Sequence, residues 1–388
     1  MTDIVTFPDR ATGFVAQRLI EARYVLQMSR AELGRELGIT GQAIGYYEIG
    51  ERIPDMSILL RISKVLNQPV SFFLRASPSI EEVRETRFFR SIGTRSNRVN
   101  QALDVKTKWL WELVGLIGHH VKLPSANLPE MPAAKSGSEF SLSEIEEIAT
   151  RVRRHWGLGD GPIANVIALF ETHGIIVTRF ELGSEEIDAF SCWIKRRPYV
   201  LLGSEKERCC RSRYDAAHEL GHLLLHRHIG QEDLAKKSIR DQIESEANIF
   251  AGAFLLPRRA MLREFYSTRM RHLQGLKARW RVSMQAIAHR SKDIGLIDEY
   301  QYILFRKQIS FRRWQKNEPL DDIIPPEQTE WLLKCWKLLT EKKIIREVGL
   351  EDELGFSPGL VGKLFGHSEV YGRPLSQVPR KIACFGEK

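Results

Sequence analysis

Between Arg213 and His226 the chain reads Arg-Tyr-Asp-Ala-Ala-His-Glu-Leu-Gly-His-Leu-Leu-Leu-His, a stretch that leaves the polypeptide little freedom. Ala216, Ala217, Leu220, Leu223, Leu224 and Leu225 make a helix that is apolar nearly all round, and such a helix must be buried. Residues four apart on a helix share a face, with Cβ atoms about 6 Å apart, so His218 and His222 stand side by side. Two imidazoles and the Glu219 carboxylate are costly in those surroundings unless something binds them. At this spacing both histidines can reach one Zn²⁺ at about 2.0–2.1 Å through neutral ring nitrogens. Glu219 directly follows the first of them, the position from which His-Glu-x-x-His sites draw a general base for a zinc-bound water. The bland alternative is an ordinary helix with two polar residues on its rim, and the apolar flanks argue against it.

A hydrolytic zinc site needs a third protein ligand and an open position for water. Downstream, Ala247, Phe250, Ala251, Phe254 and Leu255 form the apolar stripe of a second helix, stopped by Pro257. Glu244 falls near one border of that stripe and Glu246 near the other, and geometry alone barely separates them. Tyr214 lies one turn before His218 on the same face and is a candidate donor to a tetrahedral oxyanion. His226 continues the face by another turn and reads as a helix-end residue.

The pair HELGHLLLH and, some twenty residues later, ExxANxFA resembles the ImmA/IrrE family of zinc metallopeptidases. Strand-like runs at Gly174–Phe180, Ala189–Ile194 and Pro198–Leu202, the last two bracketing a hairpin at Lys195-Arg-Arg197, fit the same family. Gly203 departs from it, standing where Asn is expected. The likeness spans roughly residues 140–316. It implies a zincin-like domain, Glu244 as the third ligand, and a protein substrate. In that family the substrate is typically a helix-turn-helix repressor whose cleavage releases a silenced operon under stress or in a mobile element.

A second block opens the chain. Ser29-Arg-Ala-Glu32 is a capping box that starts a short helix with Leu33 and Leu37 inward, and Gly38 stops it. Thr40 caps the next helix, which runs from Gly41 to about Ile49 with Ile44 and Tyr47 facing back. Asp55 caps a further helix carrying Ile58, Leu59, Ile62 and Val65, and Val70–Leu74 closes the bundle. Two short helices joined by a glycine-containing turn within five are a helix-turn-helix arrangement. GITGQAIGYYEIGERIP within it resembles the Xre/Cro-type DNA-binding domain. That resemblance implies double-stranded DNA as a partner, with the reading helix starting at Thr40 and Gln42 and Tyr46 at base edges. Arg30 suits a phosphate contact. Gly41 and Gly45 read as exposed positions stripped of base-reading side chains. The other reading is a bundle kept for dimerisation or protein contact.

At 388 residues the chain is long enough for two or three cores. Its net charge of +9 is uneven: residues 1–75 carry 9 basic and 8 acidic groups, whereas residues 258–316 carry 15 and 4. Such a basic surface favours phosphates and other anionic partners, or is simply a solvated face. Five cysteines without a CxxC pair form no disulfide framework, and vicinal Cys209-Cys210 reads as a plain pair of small residues ahead of a redox sensor or a second metal ligand. No signal peptide is legible, and the apolar run Trp109–Ile117 is too short to span a bilayer, so a cytoplasmic protein away from the membrane is expected.

The expected fold is mainly α with a small mixed sheet (α+β). The expected divisions are a five-helix DNA-binding bundle at 1–76, a basic helical connector and Pro-rich linker at 77–139, a metallopeptidase domain at 140–316, and a helical region at 317–388. Within these, Thr86–Val121, Leu276–Ser291 and Tyr300–Trp314 read as helical. The composite reads as a DNA-binding regulatory zinc endopeptidase, with room for a homodimer. The competing reading is a transcriptional regulator whose zinc fold senses a ligand or metal and cleaves nothing; Glu219, which such a sensor does not need, favours the protease.

Overall fold

The computed structural model describes residues 13–78, 88–89, 97–131, 140–182, 188–204, 209–344 and 355–366. The chain divides into two compact units. One comprises Met1–Ile80, Ser96–Val121 and Leu332–Lys388, and the other comprises Glu81–Arg95 and Lys122–Trp331.

The first unit begins with α1 (Ala16–Val25), α2 (Arg30–Leu37), α3 (Gly41–Glu48), α4 (Met56–Val65) and α5 (Val70–Phe73). Each of α2, α3 and α4 starts at a side chain that satisfies an orphan backbone N–H. Ser29 and Glu32 form the reciprocal capping box, Thr40 accepts from Ala43, and Asp55 accepts from Ile58. Gly38 ends α2 at φ 65°, a left-handed conformation that costs glycine nothing. Leu19, Leu33, Leu37, Ile44, Leu59 and Ile62 point inward and are buried.

The long α6 (Asn97–His120) packs on α1, and α16 (Trp331–Glu341) and α17 (Pro358–Leu364) contribute from the far end of the sequence. A buried polar cluster joins these pieces. The Glu21 carboxylate accepts from Arg18 at 3.0 Å, from the Trp109 indole at 2.9 Å, and from Lys108. Arg18 also pairs with Glu112 at 2.7 Å. Its guanidinium lies over the Phe72 and Phe356 rings, 5.1 and 5.9 Å from their centres. A Cβ on Gly355 would sit 2.7 Å from the Phe72 Cα, so the approach of this late segment to α5 requires glycine.

The second unit is built on a sheet of order β1-β3-β4-β2. Here β2 is Ile176–Phe180, β3 is Ala189–Ile194 and β4 is Arg197–Gly203. β3 and β4 form an antiparallel hairpin turning through Lys195 at φ 54°, and β2 runs parallel to β4. β1 is only Phe88–Phe89, antiparallel to β3. Those two residues were expected within a helical connector; they instead pair as a short strand along β3. Almost every residue of the three longer strands is buried, as expected of a sheet covered by helices.

Helices α7 (Leu142–His155), α8 (Val166–Thr172), α9 (Cys209–Leu225), α10 (Gln231–Leu234) and α11 (Lys237–Leu255) follow, then α12 (Arg258–Glu264), α13 (Met270–Trp280), α14 (Met284–Asp293) and α15 (Glu299–Phe311). The segment expected as one helix over Leu276–Ser291 is broken. Arg281 takes a left-handed conformation at φ 52°, Val282 is buried, and Ser283 caps α14. α9 lies on β3 and β4 and packs closely against α11. A Cβ on Gly221 would come within 3.2 Å of the Ala247 Cα, so glycine there permits the close approach that brings α11 to the histidine face of α9. Fold and sequence agree on a mainly helical protein with a small mixed sheet and helices at the end.

Candidate metal centre

The helical period puts His218 and His222 on one face of α9, and α11 delivers Glu244 opposite them. The two Nε2 atoms are 3.0 Å apart. Glu244 places one oxygen 3.2 Å from His218 Nε2 and the other 3.6 Å from His222 Nε2. All three donor atoms lie within 4.8 Å of one another, a separation one small cation can bridge. Glu246, on the other border of the stripe, points away from this group and meets His226.

Hydrogen bonds fix both histidine rings from behind. His218 Nδ1 meets Asn248 Oδ1 at 3.2 Å, and the Asn248 amide is oriented by donating to the Glu244 carbonyl at 2.8 Å. His222 Nδ1 meets His226 Nδ1 at 2.9 Å, and His226 Nε2 meets Glu246 at 2.9 Å. The other Glu246 oxygen accepts from the Phe140 N–H at 3.1 Å and the Gln242 amide at 2.8 Å. Glu219 is buried and accepts from the Ser191 hydroxyl on β3 at 2.6 Å.

The electrostatics favour positive charge among these donors. Burial pushes the His222 pKa down to about 3, which keeps its ring neutral. Burial also works against charge on His218 and Glu244, but their mutual hydrogen bond and charges prevail. They hold Glu244 well below the carboxylate range and raise His218 above the ordinary histidine value. The site thus concentrates affinity for positive charge between these atoms. Burial lifts Glu219 to about 7, partly opposed by His218 and Ser191, which is the range a general base needs near neutral pH. Asp215 also rises to about 7, through burial and the neighbouring Asp188. Two imidazoles, one carboxylate and an adjacent proton acceptor are a donor set that fits Zn²⁺.

A cleft of about 840 Å³ runs from Glu244 past Tyr214, Asp215 and Asn248 to His289 and Tyr302. Tyr214 lines it, its hydroxyl donating to the Asn248 carbonyl at 3.0 Å, and burial raises its pKa so that it keeps its proton. Ser191, Asn248, His289 and Tyr302 escaped the sequence reading, although Asn248 stands inside the ExxAN string. Cys209 and Cys210 are buried free thiols at the start of α9, and burial pushes Cys210 up to about 12 and Cys209 in the same direction. Both are therefore poor nucleophiles.

In the first unit, α3 carries Gln42 and Tyr46 outward, with the Gln42 amide donating to the Tyr46 hydroxyl at 2.8 Å. Arg52, which sequence reasoning passed over, lies 4.7 Å over the Tyr46 ring and extends this face. Thr40 is occupied in capping α3. Arg30 is half-exposed and tied to the buried Glu48 at 2.6 Å, a carboxylate it shares with Arg23. The reading of Gly41 as a stripped base-reading position needs correcting. A Cβ there would lie 3.0 Å from the Ala31 Cα, so this glycine serves the close packing of α2 and α3. No helix among the described residues is long and apolar enough to cross a membrane.

Residues 170–292 match the IrrE N-terminal-like domain, a peptidase family, and residues 26–73 match a helix-turn-helix family. Two curated relatives are uncharacterized HTH-type transcriptional regulators, one from Sinorhizobium medicae and one from Rhizobium meliloti. Each is 45% identical over 64 residues, which is 16% of this chain and 46% of the relative, so the chain spans about half the length of the curated relatives it matches. The chain thus carries an Xre-type helix-turn-helix domain at its N-terminal end and, after it, an IrrE N-terminal-like metallopeptidase domain.

Proposed function

We propose that this protein is a DNA-binding regulatory zinc endopeptidase that cleaves a transcriptional repressor or a similar regulatory protein in the cytoplasm, in a stress or mobile-element response. The observation that carries the reading is Glu219: a buried carboxyl, held by Ser191, with its pKa lifted to about 7 beside the His218/His222/Glu244 group. A scaffold that only stores a metal has no use for it. A bound zinc ion supplies Lewis acidity and a water acidic enough to lose a proton near neutral pH.

Glu219 accepts that proton and returns it to the leaving amine, while Ser191 holds the carboxyl in place. Asn248 and His226 keep the two imidazoles turned inward. Tyr214, protonated and lining the cleft, is the candidate donor to the oxyanion once it leaves the Asn248 carbonyl. β3 carries Ser191, the residue that holds Glu219, and Phe88–Phe89 pairs antiparallel with it there. The outward Gln42, Tyr46 and Arg52 face of α3 suits contact with duplex DNA, and a homodimer is compatible with that role.

The test is Glu219→Gln in the zinc-loaded full-length protein, offered the repressors encoded beside its gene. Zinc content and fold should stay near wild type while cleavage falls by about 10²–10⁴. Full regulatory activity in cells from a zinc-bound Glu219→Gln protein would replace the protease reading with that of a metal or ligand sensor.

A further inference from the structure

His226 and Glu246 belong neither to the ligand group nor to the proton transfer, yet both are almost completely buried: 1% and 4% of their surfaces are exposed. An imidazole and a carboxylate are withdrawn from water only where they answer one another. Here they sit in a chain: Glu246 to His226 Nε2 at 2.9 Å, then His226 Nδ1 to His222 Nδ1 at 2.9 Å.

The direction of that chain is fixed by valence. Glu246 accepts from the Phe140 N–H and the Gln242 amide, as an ionised carboxylate does. It can only accept from His226 as well, so His226 Nε2 carries the hydrogen. Nδ1 of that ring is then the atom placed to accept a hydrogen from His222 Nδ1. That leaves His222 Nε2 as a lone pair, and it is this atom that faces His218 and Glu244.

We propose that Glu246 and His226 are a positioning pair which, through two hydrogen bonds, fixes the His222 ring in the tautomer and orientation that offer Nε2 to the metal. The inference rests on the metal-centre reading. It extends that reading to two residues outside the ligand set, and gives His226 a role beyond ending α9. His218 is held separately by Asn248, so losing the pair removes the Nδ1 hydrogen bond of His222 and leaves that of His218 in place.

The experiment uses full-length protein loaded with Zn²⁺ alone. Zinc affinity is measured by chelator competition, and the His222 ring is followed by NMR after selective ¹⁵N labelling of histidine. Wild type should show His222 protonated at Nδ1 and metal-bound at Nε2. His226→Phe, which keeps a ring in the space but breaks the chain, should weaken zinc binding about 10–100-fold. It should also abolish the slowly exchanging Nδ1–H signal. Glu246→Gln keeps volume and an acceptor oxygen but loses the charge, and should fall between the two; it carries the same test if His226→Phe does not fold. Folded variants that bind zinc as tightly as wild type, with the His222 signals unmoved, would overturn the pairing and leave the metal centre standing. Wild-type protein that takes up no zinc would overturn the metal centre and the pairing together.

Discussion

Phe356 offers a direct measure of how far the first unit depends on the late part of the chain. Its side chain is fully buried, with the Phe72 ring centre 6.0 Å away, that of Trp109 at 5.6 Å, and the Arg18 guanidinium over its face. An aromatic side chain buries about 150–250 Å². At about 25 cal/mol per Å², that corresponds to roughly 4–6 kcal/mol. Residual compactness of the unfolded chain trims the figure by about 10–40%, to roughly 3–5 kcal/mol, the usual range for Phe→Ala in a core. In a unit of this size each kcal/mol moves the melting temperature by about 2–4 °C, so Phe356→Ala should lower it by roughly 6–20 °C. Scanning calorimetry of the full-length protein, with and without zinc, separates the units, because zinc should raise only the transition of the metallopeptidase-like unit. Phe356→Ala should depress the zinc-insensitive transition. If both transitions stay within about 1 °C of wild type, or only the zinc-sensitive one moves, the assignment of this segment to the core of the helix-turn-helix unit is wrong.

Elemental analysis should find about one zinc per wild-type chain and a loss of most of it in His222→Ala; a wild-type protein purified empty and unable to take up zinc contradicts the ligand group. Gln42→Ala should weaken binding to a duplex selected from a random library by about 1–3 kcal/mol while sparing non-specific binding. Equal losses on both kinds of DNA would remove Gln42 from the base-reading face. Asp215 titrates near 7 in the folded protein against an unperturbed 3.8. The folded state therefore holds an extra proton between about pH 4 and 7, and its stability falls as pH rises through that window. In metal-free protein, Asp215→Asn should flatten this decline when melting is followed from pH 4 to 8, and a profile parallel to wild type would show that another group is responsible.

The parts of the protein legible in its sequence are those set by neighbours along the chain. The capping box at Ser29, the left-handed stop at Gly38 and the four-residue spacing of His218 and His222 are local, and local pattern suffices to place them. Glu244 and Glu246 could not be separated by periodicity, because both border the same stripe. What divides them is the surroundings of α11: Gly221 lets α9 come close on one side, and the Phe140 N–H waits on the other. His226 looked like a helix end because its partner lies on another helix. Ser191 gave no signal, since one serine in a strand of buried residues means nothing until the strand is laid beside α9. The break at Arg281–Ser283 was masked by a helical pattern that resumes in nearly the same phase. The burial of Glu21 against Lys108 and Trp109, and of Phe72 against Phe356, joins residues far apart in the chain that no spacing rule connects.

That last arrangement bears on how the protein is made. Phe72 leaves the ribosome early, but the ring that covers it is encoded 284 residues later, beyond the whole metallopeptidase-like unit. At about 5–20 residues per second the interval is roughly 15–60 s. Throughout that time the nascent first unit lacks the Phe356 ring, although Trp109 can already pack on Phe72. A chain that stops short, through a nonsense codon or a stalled ribosome inside the second unit, keeps α3 but never acquires the Phe356 segment that packs on Phe72. A complete first unit therefore forms only in molecules in which the second unit has also been synthesised.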